Sequence, residues 1–102
     1  MASERQPELF STPAQLRDEL AFKSWLETME GFRQRSAADV VSRVKRAMIF
    51  ADVLSAGSDH ELRFLLEESS DYRGCSSSVR SQLKRAAQLY RQFRSLPEGR
   101  RS

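Results

Sequence analysis

One cysteine, one histidine, four glycines and three prolines are all that the 102 residues contain of these types, and each scarcity removes a class of structure or chemistry. The single thiol, Cys75, cannot close an internal disulfide, which fits a reducing, cytoplasmic setting. A metal site needs three or four ligands, and none cluster around His60, which sits in a helix-capping sequence and reads as a surface residue. Without a second histidine or a cysteine partner, Cys75 lacks the base that a nucleophile needs and reads as an incidental loop thiol. Glu67 and Glu68 are adjacent on a helix, point different ways, and form no acid/base pair. There is no Gly-rich phosphate loop. No window approaches the ~18 apolar residues of a membrane span, and Met1–Phe10 has no apolar signal core. These absences point to a non-enzymatic protein with no cofactor and no metal.

Strand signals are missing too: no segment alternates with a two-residue period over strand length, and no Asn-Gly or Asp-Gly turn occurs. Helix signals fill the space. Thr12-Pro13 reads as a start, followed by Leu16, Leu20, Trp25, Leu26 and Met29 at near-helical spacing, with Phe22 off the stripe and Gly31 as the stop. Ser36 reads as the cap of a second helix whose broad apolar face comprises Val40, Val41, Val44, Ala47, Met48, Ala51 and Leu54; Ile49, Phe50 and Val53 widen it, and Gly57 ends it. Ser58-Asp59-His60-Glu61 is a capping box for a short third helix with Leu62, Leu65 and Leu66 inward and Phe64 at the margin. Residues 69–78 read as a loop. A fourth long helix starts near Ser77 or Ser78, carries the stripe Val79, Leu83, Ala86, Ala87, Tyr90 and Phe93, and ends at Leu96-Pro97. Trp25, Tyr90 and Phe93 lie on stripes and read as core, whereas Phe10, Phe32 and Tyr72 lie off them and are free to be exposed. The expectation is a compact all-α bundle of four or five helices over residues 12–96, with a flexible lead-in (1–11) and a disordered basic tail (97–102).

Charge is sorted by segment. Residues 1–30 hold six acids and three bases, 31–50 five bases and one acid, 58–71 five acids and one base, and 72–97 six bases and no acid. The net charge of +3 is modest, but a long helix without one carboxylate is unusual for a merely solvated face. On that helix Arg80, Lys84 and Arg91 fall on one flank with Arg94 beside them, and Ser81, Gln88 and Ser95 lie nearby as hydrogen-bond donors. Such a set suits phosphate oxygens. The bland alternative is a solvated helix paired with its acidic neighbours.

The two basic helices also share a phrase: Ser42-Arg43-Val44-Lys45-Arg46-Ala47 echoes Ser81-Gln82-Leu83-Lys84-Arg85-Ala86. Phe22-Lys23-Ser24-Trp25-Leu26, then Ser36 with Val40, Val41, Val44 and Lys45-Arg46, then Glu61–Leu66, then Ser77-Ser78-Val79 through Leu83-Lys84-Arg85-Ala86 to Tyr90 and Phe93 follow one another in a familiar order. Over about Phe22–Phe93 the sequence resembles the core-binding (SAM-like, N-terminal) domain of tyrosine recombinases and phage integrases. In that family four helices clamp one face of duplex DNA, the second and fourth lying along the major groove. The resemblance implies that Ser36, Arg43, Lys45 and Arg46 face DNA from one helix and Ser77, Arg80, Lys84, Arg85 and Arg91 from the other, with Arg94 added from the helical wheel. Two features depart from the family. Val41 or Val44 stands where an aromatic is usual, and no Arg…His-x-x-Arg…Tyr set follows Phe93, so the chain reads as an excised domain or a standalone relative.

Two functions of different class follow. One is a non-catalytic module whose partner is duplex DNA. The other is a protein-interaction module encoded by a mobile element or phage, an adaptor or inhibitor of a nucleic-acid enzyme that docks by its acidic and basic faces or associates with itself.

Overall fold

Five helices and no strand make up the described residues, 16–97, of a computed structural model. Helix α1 spans Glu19–Thr28, α2 Gln34–Phe50, α3 Asp59–Glu67, α4 Ser70–Arg73 and α5 Ser77–Arg94. The all-α bundle expected from the periodicity is what forms. None of these helices is long and apolar enough to cross a membrane. The lead-in, the Thr12-Pro13 start signal, Phe10 and residues 98–102 lie outside the described residues.

The two helices that share a phrase make the most extensive contact in the bundle, and α1 packs against both. They run in opposite senses. Val40 and Arg43 in the middle of α2 meet the stretch Ser81–Leu89 of α5, while Arg46 and Phe50 near its end lie against Cys75 and Tyr72, which precede α5. Helix α3 covers another part of α5 and carries α4 beside it. Beneath these contacts Phe22 stands at the centre of an aromatic cluster. Its ring meets Tyr90 edge-on at 5.0 Å and Phe93 at 5.3 Å, with Trp25 at 6.2 Å. Trp25, Tyr90 and Phe93 are buried, as their stripes imply, and Leu83, Ala86 and Ala87 lie with them.

Helix α1 differs from the expected one. Asp18 adopts the left-handed region (φ 58°, ψ 36°), so Leu16–Asp18 form a turn and the helix starts only at Glu19. Asp is among the few side chains that visit this region, at a cost of about 1–2 kcal/mol. The stripe must therefore be counted from Glu19, and it runs through Phe22, Trp25 and Leu26. Leu20, about 200° round the axis from Phe22, faces solvent at 77% exposure. Met29 lies past the last helical turn and is also exposed, while Phe22, expected off the stripe, is fully buried. Gly31 (φ 76°) then folds the chain back so that the Phe32 N–H reaches the Leu26 carbonyl at 3.0 Å. Phe32 is half-buried against the core.

Helix α2 starts two residues before Ser36, which sits exposed in its first turn and caps nothing. It stops at Phe50 rather than at Gly57. Past it, the Ser55 N–H and hydroxyl both turn back to the Asp52 carbonyl, the local bonding by which Asp and Ser segments leave a helix. Val53 and Ala56 are buried from this connection, whereas Leu54 and Ile49, expected on the apolar face, are each more than a third exposed.

The third helix begins as its sequence says. The Ser58 hydroxyl accepts from the Glu61 N–H at 3.1 Å, and the Glu61 carboxylate reaches back to the Gly57 N–H at 2.8 Å. Phe64, expected at its margin, is 65% exposed. The expected loop over 69–78 contains α4, capped by Ser69, and this one turn inserts Tyr72 into the core. A four-residue helix has no period to read, so the sequence leaves Tyr72 free to be exposed. Instead its hydroxyl donates to the Arg80 carbonyl at 3.0 Å. Ser76 caps α5, which starts at Ser77 as expected, and Leu89 joins its buried face.

Replacing Phe22 by Ala should cost about 3–5 kcal/mol in urea unfolding, the usual loss for a large core aromatic. Leu20→Ala should change stability by less than about 0.5 kcal/mol. The reverse ranking would restore the stripe read from sequence.

Candidate functional site

Ten side chains were singled out from the sequence, and the fold divides them. Three cations are used within the molecule. Lys45 turns from α2 to α1, its Nζ 3.1 Å from the Glu19 carboxylate. Arg94 donates to the Asp18 carboxylate in the turn before α1. Arg91 donates to the Val53 and Ala56 carbonyls in the connection after α2, with the Asp59 carboxylate 3.9 Å away. The bland alternative, pairing with acidic neighbours, holds for Lys45 and Arg94.

The rest stay at the surface. Among the described residues Arg43, Arg46, Arg80, Lys84 and Arg85 form no ion pair. Arg43 of α2 and Arg85 of α5 line one groove of about 240 Å³, together with the buried Val40, Ala86 and Leu89 and the half-buried Phe32. Ser81 and Gln82 complete it. The echoed phrase explains the arrangement. Arg43 and Gln82 occupy equivalent positions, as do Val44 and Leu83, and in two helices of opposite sense both equivalents of each pair turn the same way. Val44 and Leu83 go to the core, and Arg43 and Gln82 line the groove. Arg46 is exposed, with one guanidinium nitrogen 4.0 Å from the Cys75 sulfur.

On its other flank α5 borders a second, polar cleft of about 250 Å³ lined by Arg80, Lys84, Ser77 and Ser81. Arg63, Glu67 and Tyr72 form its far wall. Ser81 belongs to both depressions, so the cations that line them, Arg43 and Arg85 in the groove and Lys84, Arg80 and Arg63 in the cleft, form one strip. Arg63 was missed in the sequence because it is the only base of an acidic segment. Only the packing of α3 on α5 brings it here, and no local pattern signals that. Ser36 is exposed on α2 outside both depressions.

Two tyrosines hold α5 to its surroundings as neutral donors. Tyr90 donates to the Arg17 carbonyl at 2.9 Å, and burial raises its phenol above the ordinary value. Tyr72 is raised likewise, by burial and then by Glu67. For Glu19, burial pushes the carboxyl up. The Leu16 N–H at 2.8 Å, Lys45 and Lys23 outweigh it and hold the group below its ordinary 4.5.

Cys75 is half-buried, its thiol 3.5 Å from the Asp71 carbonyl, and His60 is exposed on α3 with its ring beside Phe64. Among the described residues no group of three or more His, Cys, Asp or Glu is placed to hold a metal ion. Comparison with family models, with curated proteins and with solved structures gives no match to this chain.

Glu19→Gln should destabilise the fold by about 1 kcal/mol at neutral pH, the scale of one hydrogen bond plus a part-buried pair. The folded state holds this carboxylate below 4.5, so its contribution is complete above that value. It fades as the pH falls through the lowered folded value, and wild type and variant should converge in acid when denaturation is followed by circular dichroism. Arg91→Gln removes two bonds from a charged donor to the Val53 and Ala56 carbonyls and should cost about 2 kcal/mol in urea unfolding.

Proposed function

We propose that the chain is a non-catalytic helical module that binds duplex DNA through the basic surface of α2 and α5. The observation that carries this reading is the strip meeting at Ser81, where arginines from two separate helices, Arg43 and Arg85, line one groove and Lys84 and Arg80 continue it. A surface of unpaired cations attracts the phosphate backbone, and the counterions released on binding supply the affinity. Arg43, Arg46, Arg80, Lys84 and Arg85 contact phosphates, and Ser36, Ser77, Ser81 and Gln82 add neutral donors. Lys45, Arg91 and Arg94 act indirectly, by fixing α1 and the connection after α2. The resemblance to recombinase core-binding domains supports the same pair of helices, since α2 and α5 correspond to the two that follow the major groove in that family. On this reading the protein works in the cytoplasm and is related to a mobile-element or phage domain.

The protein-docking reading has one observation on its side: Leu20, Met29 and Phe64 are each more than three-fifths exposed. Leu20 and Met29, nine residues apart, point about 180° from one another round α1 and make no common patch. Single exposed apolar side chains are ordinary, so this reading ranks second. A stable dimer in sizing chromatography without DNA affinity would reverse the order.

Fluorescence anisotropy with a random duplex at several salt concentrations checks the proposal. Each phosphate contact contributes about 0.9 to the fall of log affinity with log salt. Arg43→Gln and Arg85→Gln should each lower that slope by about 0.9 without loss of helicity. An affinity indifferent to salt, or unchanged in the double variant, would count against a phosphate-binding surface.

A further inference from the structure

The α3–α5 cleft differs in kind from the groove beside it. The groove is lined in part by apolar side chains, whereas the cleft presents three cations, Arg63, Arg80 and Lys84, and two hydroxyls, Ser77 and Ser81, with little apolar surface. We propose that this cleft is a pocket for a single phosphoryl group. The inference shares Arg80 and Lys84 with the duplex-binding reading but does not need it.

Four features point to that ligand. First, the cations come from two helices, Arg63 from α3 and Arg80 and Lys84 from α5, and the hydroxyls line the same cleft, so donors reach it from more than one element. A tetrahedral oxyanion has an oxygen for each direction, while a carboxylate has two oxygens in one plane. Guanidinium forks match pairs of phosphoryl oxygens, and a lysine adds a point charge. Second, the one carboxylate in the lining, Glu67, stands 3.9 Å from Arg63, which leaves Arg80 and Lys84 unopposed among the described residues. Third, the buried Nε–H of Arg80 has no acceptor in the fold. Tyr72, whose hydroxyl donates to the Arg80 carbonyl, does not accept from this Nε–H. Fourth, at about 250 Å³ the cleft is smaller than the ~300–1,000 Å³ of sites for drug-sized ligands. It is large enough for one oxyanion and its waters. Ser77 and Ser81 lie in the first turns of α5, where the backbone also favours negative charge.

The phosphoryl group has two possible sources, the backbone of a nucleic acid or a small phosphorylated molecule, and one experiment separates them. The full chain, labelled with nitrogen-15, is titrated with inorganic phosphate at constant ionic strength and followed by amide chemical shifts. Saturable shifts are expected at Arg63 and at Ser77–Lys84. Arg80→Gln and Lys84→Gln should each weaken binding about tenfold, the loss of one charge-assisted contact, and Arg33→Gln, at an exposed position outside the cleft, should leave it unchanged. If Arg80→Gln lowers helicity, Lys84→Gln carries the comparison alone. A second titration with dimethyl phosphate, a diester monoanion, names the source. Equal or tighter binding of the diester assigns the pocket to a nucleic-acid backbone, and preference for the dianion assigns it to a free phosphorylated ligand. Shifts that rise linearly and match those from chloride, or that survive both substitutions, overturn the pocket. Because no DNA is present, that failure leaves duplex binding standing, and loss of duplex binding alone leaves the pocket.

Discussion

The turn at Leu16–Glu19 is the tie on which the rest of this bundle depends. Three groups from the central helix pair converge on three successive residues: Tyr90 on the Arg17 carbonyl, Arg94 on the Asp18 carboxylate and Lys45 on the Glu19 carboxylate. Together they hold Asp18 in a left-handed conformation that its backbone would not favour alone. That conformation starts α1 at Glu19 and so sets which side of α1 faces inward. Phe22 then enters between Tyr90 and Phe93, and the aromatic cluster closes. Exposed ion pairs contribute little by themselves. Their effect here is to choose the register of a helix whose burial contributes much more.

The same tie shapes the electrostatics. Acidic segments that alternate with basic ones along the chain could have paired off completely, leaving an even surface. They do so on one side only. Glu19 and Asp18 engage Lys45 and Arg94, and Asp59 stands near Arg91. The acids are then spent on the flank where α1 and the start of α3 lie. The strip from Arg43 to Arg80 is left without carboxylate partners among the described residues, with Glu67 beside Arg63. Positive charge on this surface comes from the unequal placement of pairs more than from the net charge of the chain.

The echoed phrase has a similar logic. A short repeat in two helices of opposite sense places equivalent residues on the same side of their contact. Valine and leucine go to the core and Arg43 and Gln82 to the groove, so one sequence motif builds both walls of a depression. Lys45 breaks the correspondence, because its flank meets α1 while that of Lys84 opens onto the cleft under α3.

Local rules were enough for much of this. Period alone identified α5 and the middle of α2, since their stripes are long and uninterrupted. Ser58 to Glu61 announced α3, since a cap needs only four neighbouring residues. The all-α class and the sorting of charge into alternating segments were equally legible. Contacts remote in sequence decided the remainder. Asp18 takes its conformation beside Arg94, Tyr72 is buried because Phe50 and Arg80 receive it, and α2 gives way to a connection whose carbonyls accept from Arg91. Which cations remain free is likewise a tertiary outcome. A sequence states how many charges a helix carries, but the partner of each depends on what packs within a few ångströms, and only the folded chain brings Glu19 to Lys45 and Arg63 to Arg80.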